Sequence, residues 1–214
     1  PLYSSAASDV YKRQVLADHG DGMGSHRMVT KQVSFYEEMT NVPFIIAGPG
    51  IHPRQKPVED LLTQPTIDLL PTLCELAGIP VPSSKPGISL APFLKGEKQK
   101  RQHPYAASEW HSEYEVTVSP GRMIRSPRYK YTHYLEGNGE ELYDMLKDKG
   151  ERRNLAHDPK YSKILAEHRA LLDDYIRRTQ DDYRSLKVEA DKRWRSHAPG
   201  YPNHEGPCAR DIIN

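Results

Sequence analysis

The 214-residue sequence has only two cysteines and no long apolar run. Cys74 and Cys208 are far apart in the chain, so they do not form a disulfide framework. No stretch of 18 apolar residues is present, which excludes a transmembrane helix. Apolar residues make up 36% of the chain and charged residues 28%, so the core is modest. The net charge of +1 gives no indication of nucleic-acid binding or of an acidic tail.

What the sequence does contain is one segment, residues 15–31, that joins an apolar run to a glycine-rich loop of polar side chains. Residues 15–17 predict the end of a buried strand, and Asp18 and His19 follow directly. In open α/β sheets, loops at the carboxyl ends of strands bind ligands. Neighbouring Asp and His side chains can reach one metal ion there, and Lys31 offers a charge for an anion. Asp-His-Gly is also common in ordinary turns, so the spacing alone leaves both interpretations open.

Three ordered blocks of residues resemble the sulfatase family of the alkaline-phosphatase-like superfamily. The first block contains Asp18-His19-Gly20, a Gly24-Ser25-His26 loop, Lys31, an aromatic-Glu-Glu turn at 35–38 and a Val-Pro strand from residue 42. The second block covers 67–73 and 77–79, and the third covers 123–125, 128–131, 141–144 and 154–156. The resemblance implies an α/β fold. It consists of the C-terminal portion of an alkaline-phosphatase-like parallel-sheet domain, followed by a small antiparallel sheet with a helix.

The resemblance also implies a chemistry, the hydrolysis of sulfate esters of a glycan or an aryl alcohol. Asp18 and His19 would bind the divalent cation, usually calcium, and Lys31 would contact the sulfate as a catalytic and substrate-binding residue. His26 is a candidate proton donor to the leaving oxygen, and an equal alternative places it in hydrogen bonds behind the metal site. His111 is a candidate sugar contact. Because nitrogen suits softer metals than calcium, His19 keeps manganese as an alternative cation.

Two features of the family are missing from the sequence. There is no Cys/Ser-x-Pro-x-Arg motif, in which the first residue becomes the formylglycine nucleophile, and no paired aspartates of the family's first strand. We therefore expect the chain to be the C-terminal part of a sulfatase, inactive alone, with the formylglycine in a preceding part. The family resemblance favours a periplasmic or secreted location. The natural substrate and the oligomeric state stay open.

Two other functions remain to be compared with this prediction. The first is a phosphodiester or phosphonate monoester hydrolase of the same superfamily, whose members with Asp-His prefer manganese-like ions. The second belongs to another class, a catalytically inert fragment that acts only as an interaction module.

The chain divides by composition into four regions. Residues 1–14 resemble translated adapter sequence and are excluded as a non-native leader. Residues 15–102 are assigned to the catalytic domain, 103–180 to the C-terminal subdomain and 181–214 to an irregular tail. Residues 95–102 are predicted to be a basic, solvated linker. The pattern predicts helices at 34–39, 66–76 and 161–178, and strands at 15–17, 42–47, 105–110, 115–119, 122–126 and 128–134. Cys74 and His168 are predicted to be buried, the histidine as a core residue rather than a ligand.

Overall fold

A computed structural model describes residues 13–28, 34–54, 56–58, 61–83, 86–99, 103–111, 120–135 and 139–186. The chain forms two units. The first unit comprises Pro1–Thr30 and Glu38–Ala106, and the second comprises Lys31–Glu37 and Ala107–Asn214. None of the described helices is both long enough and apolar enough to cross a membrane. The boundaries that the sequence predicts at residues 14, 102 and 180 stay predictions.

Strands and helices are interspersed along the chain. The strands are β1 (Arg13–Leu16), β2 (Phe44–Ala47), β3 (Ala106–Trp110), β4 (Gly121–Arg125), β5 (Tyr129–Tyr134) and β6 (Gly139–Asp144). The α-helices are α1 (Glu37–Thr40), α2 (Pro65–Ala77), α3 (Ala91–Leu94) and α4 (Ser162–Thr179). Single 3₁₀ turns cover Ser25–Arg27, Pro159–Tyr161 and Tyr183–Ser185. The predicted strand at 115–119 lies outside the described residues.

In the first unit, β1 and β2 form a two-stranded ribbon that corrects the sequence prediction. The two strands run antiparallel, with Val15 opposite Ile45, whereas residues 15–17 were expected to end a parallel strand. Both strands were expected to be buried, yet Val15 is 55% and Ile45 56% exposed. An apolar run in the sequence predicts a strand, but its side chains are buried only where a second layer of structure covers them. Among the described residues, nothing covers Val15 and Ile45.

Helix α2 is the main helix of the first unit, and a buried carboxylate ties it to the following segment. The helix accommodates Pro71 and ends at Gly78, which adopts a left-handed conformation with φ of 70°. Asp68, fully buried, accepts hydrogen bonds of 2.8 Å from the backbone amides of Gln64 and Ile88. The His103 ring lies 2.8 Å from the same carboxylate. Cys74 is half-buried rather than fully buried, and its thiol is free.

The second unit contains the antiparallel sheet, in the order β3-β4-β5-β6. Strands β4 and β5 agree with the sequence pattern, whereas β6 was not predicted. Its sequence carries adjacent Glu140 and Glu141, which have low strand propensity, and only the pairing with β5 reveals it. The predicted small antiparallel sheet with a helix is therefore present.

Strand β5 is buried on both faces because different parts of the unit cover them. One face carries Tyr129, Tyr131 and His133 and packs toward α4 and Tyr183, with Tyr129 and His168 in edge contact at 5.8 Å. As predicted, His168 is a core residue, only 4% exposed. The opposite face carries Lys130, Thr132 and Tyr134, and residues 34–37 lie against it. The helix predicted at 34–39 is in fact α1, which begins at Glu37.

Candidate functional site

Asp18 and His19 come directly after β1 and Ala17, and their side-chain polar atoms lie close together. The Asp18 Oδ2 and His19 Nε2 atoms lie 3.7 Å apart, with side chains 89% and 43% exposed. The Asp18 Oδ1 atom accepts a 3.0 Å hydrogen bond from the His19 amide, which orients the carboxylate. An ion bound to two such atoms at about 2.0–2.6 Å holds them about 3–4 Å apart, so the observed separation fits one cation.

The hydrogen bonding of the His19 ring supports the same interpretation. Nδ1 lies 2.7 Å from the carbonyl oxygen of Gly20. A carbonyl can only accept, so Nδ1 carries the proton, and in the neutral ring Nε2 presents its lone pair. Metal-binding histidines commonly make this second hydrogen bond, which fixes both the tautomer and the ring orientation. The two residues therefore suit a divalent metal ion.

The loop after His19 is held in place by the close approach of its glycines to neighbouring residues. The Gly20 amide donates to the Met39 carbonyl at 2.9 Å. A Cβ at residue 20 would lie 1.8 Å from the Glu38 carbonyl oxygen, and one at Gly22 would lie 2.5 Å from the Met28 Cβ. Both positions therefore require glycine, because no side-chain atom fits there. The turn Ser25–Arg27 follows, and within it His26 has φ of 48°.

His26 lies beside a carboxylate that the sequence analysis did not assign to it. Its Nε2 atom is 3.8 Å from Glu38 Oε2, and its side chain is 13% exposed. The hydroxyl of Ser25 donates to Glu38 Oε1 at 2.5 Å. The Glu38 carboxylate thus contacts two successive residues of the loop. The 3.8 Å separation is within ion-pair distance but longer than a hydrogen bond, so both roles of His26 stay predictions. The sequence signal for Glu38 was only its place in the aromatic-Glu-Glu turn.

Lys31 lies outside the described residues, but Phe35 and Glu37, a few residues later, are anchored in the second unit. Phe35 packs against Met123 and Tyr134. The Lys130 Nζ lies 2.8 Å from Glu37 Oε1, and the Glu37 amide donates to Glu151 Oε2 at 2.7 Å. The predicted sulfate-binding lysine therefore precedes the buried Phe35 by four residues and the anchoring Glu37 by six.

The anchor is an ion cluster, formed by Glu37, Lys130 and Glu151. Lys130 is fully buried, and its Nζ also lies 2.9 Å from Glu151 Oε1. Burial raises the pKa of the Glu151 carboxyl above its ordinary value. The charge of Lys130 and the hydrogen bonds that Glu151 accepts from Lys130 and from the Glu37 amide only partly oppose this shift. Removal of one partner from such a cluster leaves an uncompensated buried charge, which is strongly destabilising.

His111 is exposed at the end of β3, as expected of a residue that contacts a ligand, but no described contact assigns it that role. Close to it in sequence, the Trp110 carbonyl accepts from Arg122, whose guanidinium also binds Asp181 through two hydrogen bonds of 2.6 and 2.9 Å. These hydrogen bonds hold the pKa of Asp181 below its ordinary value. Arg122 also stacks on the Tyr183 ring at 4.5 Å and so fixes the segment after α4.

Residues 24–178 match the family model for the C-terminal region of N-sulphoglucosamine sulphohydrolase. The match covers the loop with His26, Lys31, the aromatic-Glu-Glu turn, the ion cluster and all but the last residue of α4. Asp18 and His19 precede its first residue.

Individual relatives extend the likeness over nearly the whole chain. A Delta 4,5-hexuronate-2-O-sulfatase of Bacteroides thetaiotaomicron is 74% identical over 99% of this chain, which corresponds to 44% of that protein. A solved structure of a 2-O GAG sulfatase, 74% identical, superposes with a TM-score of 0.87 over 99% of this chain and 46% of its own. A phosphonate monoester hydrolase from Silicibacter pomeroyi is 27% identical, with a TM-score of 0.71 over 86% of this chain and 38% of its own. The chain thus spans less than half the length of these proteins.

Proposed function

The chain belongs to the sulfatase family, and from that premise we propose that it supplies the metal-binding and substrate-binding C-terminal part of an enzyme that hydrolyses sulfate esters of glycans. The proposed substrate is a 2-O-sulfated uronate of a glycosaminoglycan, by analogy with the 74% identical hexuronate-2-O-sulfatase. The observation that carries the proposal is the pair Asp18 and His19, whose ligand atoms lie 3.7 Å apart.

In this proposal each named residue has a separate task. Asp18 Oδ2 and His19 Nε2 hold a divalent cation, calcium or manganese, which when bound withdraws charge from the sulfate oxygens. Lys31 adds a positive charge toward the same oxygens, and His111 contacts the sugar. Glu38 orients His26 through the 3.8 Å contact, so that the ring can hold a proton near the leaving oxygen. The nucleophile, a formylglycine, would come from a preceding part of the protein. The signal for a periplasmic or secreted location would also lie in that part.

Cation binding tests the proposal on the chain itself. Titration calorimetry with Ca²⁺ and Mn²⁺ is expected to detect one site in the parent chain, and Asp18→Ala and His19→Ala are each expected to weaken it at least tenfold. His157→Ala removes another exposed histidine and is the matched control. Unchanged affinity in both site variants would contradict the assignment of the ligands.

Activity is tested by restoring the missing half of the protein. The chain is co-expressed with the region that precedes the matched segment in the hexuronate-2-O-sulfatase relative. Sulfate release from an unsaturated 2-O-sulfated disaccharide is expected from the pair and not from either half. Release that persists when Lys31→Met is introduced would contradict the role of this lysine.

A phosphonate monoester hydrolase is the second candidate, and two observations favour it. The Silicibacter enzyme has a similar fold at 27% identity, and His19 provides a nitrogen ligand, which suits manganese better than calcium. The reconstituted pair is therefore assayed on aryl sulfate and aryl phosphonate monoester with each metal. A higher kcat/KM for the phosphonate would favour this alternative.

A further inference from the structure

Two segments of the first unit, 40 residues apart in sequence, come together and form an exposed basic surface. The His52 amide donates to the Leu94 carbonyl at 2.6 Å. Its ring also lies 3.3 Å from the position that a Cβ of Gly96 would occupy. These contacts place His52 beside residues 94–96.

Cationic side chains predominate on both segments. We define the basic surface by its four exposed cations, Arg54, Lys56, Lys95 and Lys98. Among the described residues of 52–58 and 93–99, Glu97 is the one exposed carboxylate. In the described part of the chain, none of the four cations lies within ion-pair distance of a carboxylate, unlike Arg122, Arg128 and Lys130 of the second unit. Because the net charge of the whole chain is only +1, this excess is local and not a general property of the surface.

Arg54 is oriented by an aromatic ring. Its guanidinium carbon lies 4.3 Å from the centre of the Phe93 ring. Stacking of this kind restricts the side chain before any ligand arrives, and it leaves the N–H edge of the guanidinium available to an oxyanion. The planar fork of arginine matches two oxygens of a tetrahedral anion, a geometry that lysine cannot provide.

We propose that the basic surface binds the sulfated chain of a glycosaminoglycan, separately from the sulfate that is to be hydrolysed. The proposal rests on the proposed function for the class of polysaccharide, since glycosaminoglycans carry repeated sulfate groups. The binding itself involves neither the metal nor the nucleophile. The repeated sulfate groups of the polysaccharide can form ion pairs with several cations of the basic surface.

The test measures the affinity of the chain for a heparin-derived dodecasaccharide by fluorescence anisotropy, in EDTA and at several salt concentrations. The triple variant Arg54→Gln/Lys95→Gln/Lys98→Gln is expected to bind at least tenfold more weakly at 0.1 M salt. The slope of log Kd against log salt concentration should be smaller in the variant by about two to three. Each cation that is removed displaces about one counterion fewer from the polyanion on binding. The control Lys147→Gln/Lys160→Gln/Lys163→Gln removes the same charge from exposed lysines of the second unit and is expected to retain parental affinity.

Two further variants and ligands make the test specific. Arg54→Lys keeps the charge but loses the fork, and about threefold weaker binding is expected. Equal weakening by the patch and control triple variants would overturn the proposal, as would equal affinity for single-stranded DNA of the same charge or no binding to the dodecasaccharide. Because EDTA removes the metal, loss of binding here and loss of sulfatase activity are separate results.

Discussion

The two units use their charged side chains in opposite ways. In the first, the side chains of Asp18 and His19 are exposed, and their polar atoms lie 3.7 Å apart. In the second, Lys130 is fully buried and held between two carboxylates. Exposed polar atoms keep their capacity to bind a ligand, whereas buried and paired groups define one conformation. The comparison separates residues whose substitution should affect binding from residues whose substitution should affect folding.

The largest expected effect tests the buried side of this comparison. Lys130→Met leaves Glu151 buried without its cation, so we expect a loss of about 3–5 kcal/mol in the free energy of unfolding, measured by urea denaturation. Lys160→Met, at an exposed site, is the control and should change stability by less than about 0.5 kcal/mol.

A double variant separates the burial of an unpaired charge from the loss of packing. Lys130→Met/Glu151→Met removes both charges and should be less destabilised than the sum of the single variants. A simple sum of the two losses would contradict the idea that Lys130 and Glu151 depend on each other.

The same contrast explains which parts of the fold followed from the sequence. Helices α2 and α4 have apolar residues at a clear helical period, and β5 alternates between two faces, so each was predicted nearly to its ends. The burial of Lys130 was not predictable, because its partners are 21 residues later and 93 residues earlier in the chain. The exposure of β1 was also missed, since an apolar run does not reveal whether another layer covers it.

The candidate site followed from the sequence only in part, again for a physical reason. Asp18 and His19 are adjacent, so a motif is sufficient to identify them. Glu38 contacts Ser25 and His26 only because the loop folds back on α1, and the restriction at Gly20 has the same origin. Roles that depend on contacts between distant segments need the three-dimensional structure.

Substitution of Gly20 tests whether the loop geometry sustains the exposed pair. Gly20→Ala places a Cβ 1.8 Å from the Glu38 carbonyl oxygen, so the loop must move. We expect a loss of about 1–3 kcal/mol in the first unit and weaker Mn²⁺ binding at Asp18 and His19. Calorimetric titration measures the affinity, and urea denaturation measures the stability.

The control for this substitution is a glycine with more space. At Gly150 a Cβ would meet its nearest neighbour, the Arg152 side chain, at 3.5 Å, so Gly150→Ala should leave metal affinity unchanged. Parental metal affinity in Gly20→Ala would indicate that the contact between the loop and α1 does not support the pair.

The smallest expected effect is a pH dependence in the second unit, where His168 is a buried titratable group of the core. Burial lowers the pKa of His168 below its ordinary 6.5, and the Ser126 hydroxyl lies 2.9 Å from its Nε2. The unfolded chain therefore binds a proton near pH 6.5 that the folded chain does not, and stability falls as the pH drops below 6.5. This contribution is at most about 1.4 kcal/mol per pH unit, and it stops once the folded ring is also protonated. Urea denaturation between pH 5 and 8 should show a shallower decline in His168→Gln than in the parent, while His157→Gln, at an exposed site, should follow the parent. Equal slopes in the parent and His168→Gln would mean that other groups determine the acid sensitivity of the fold.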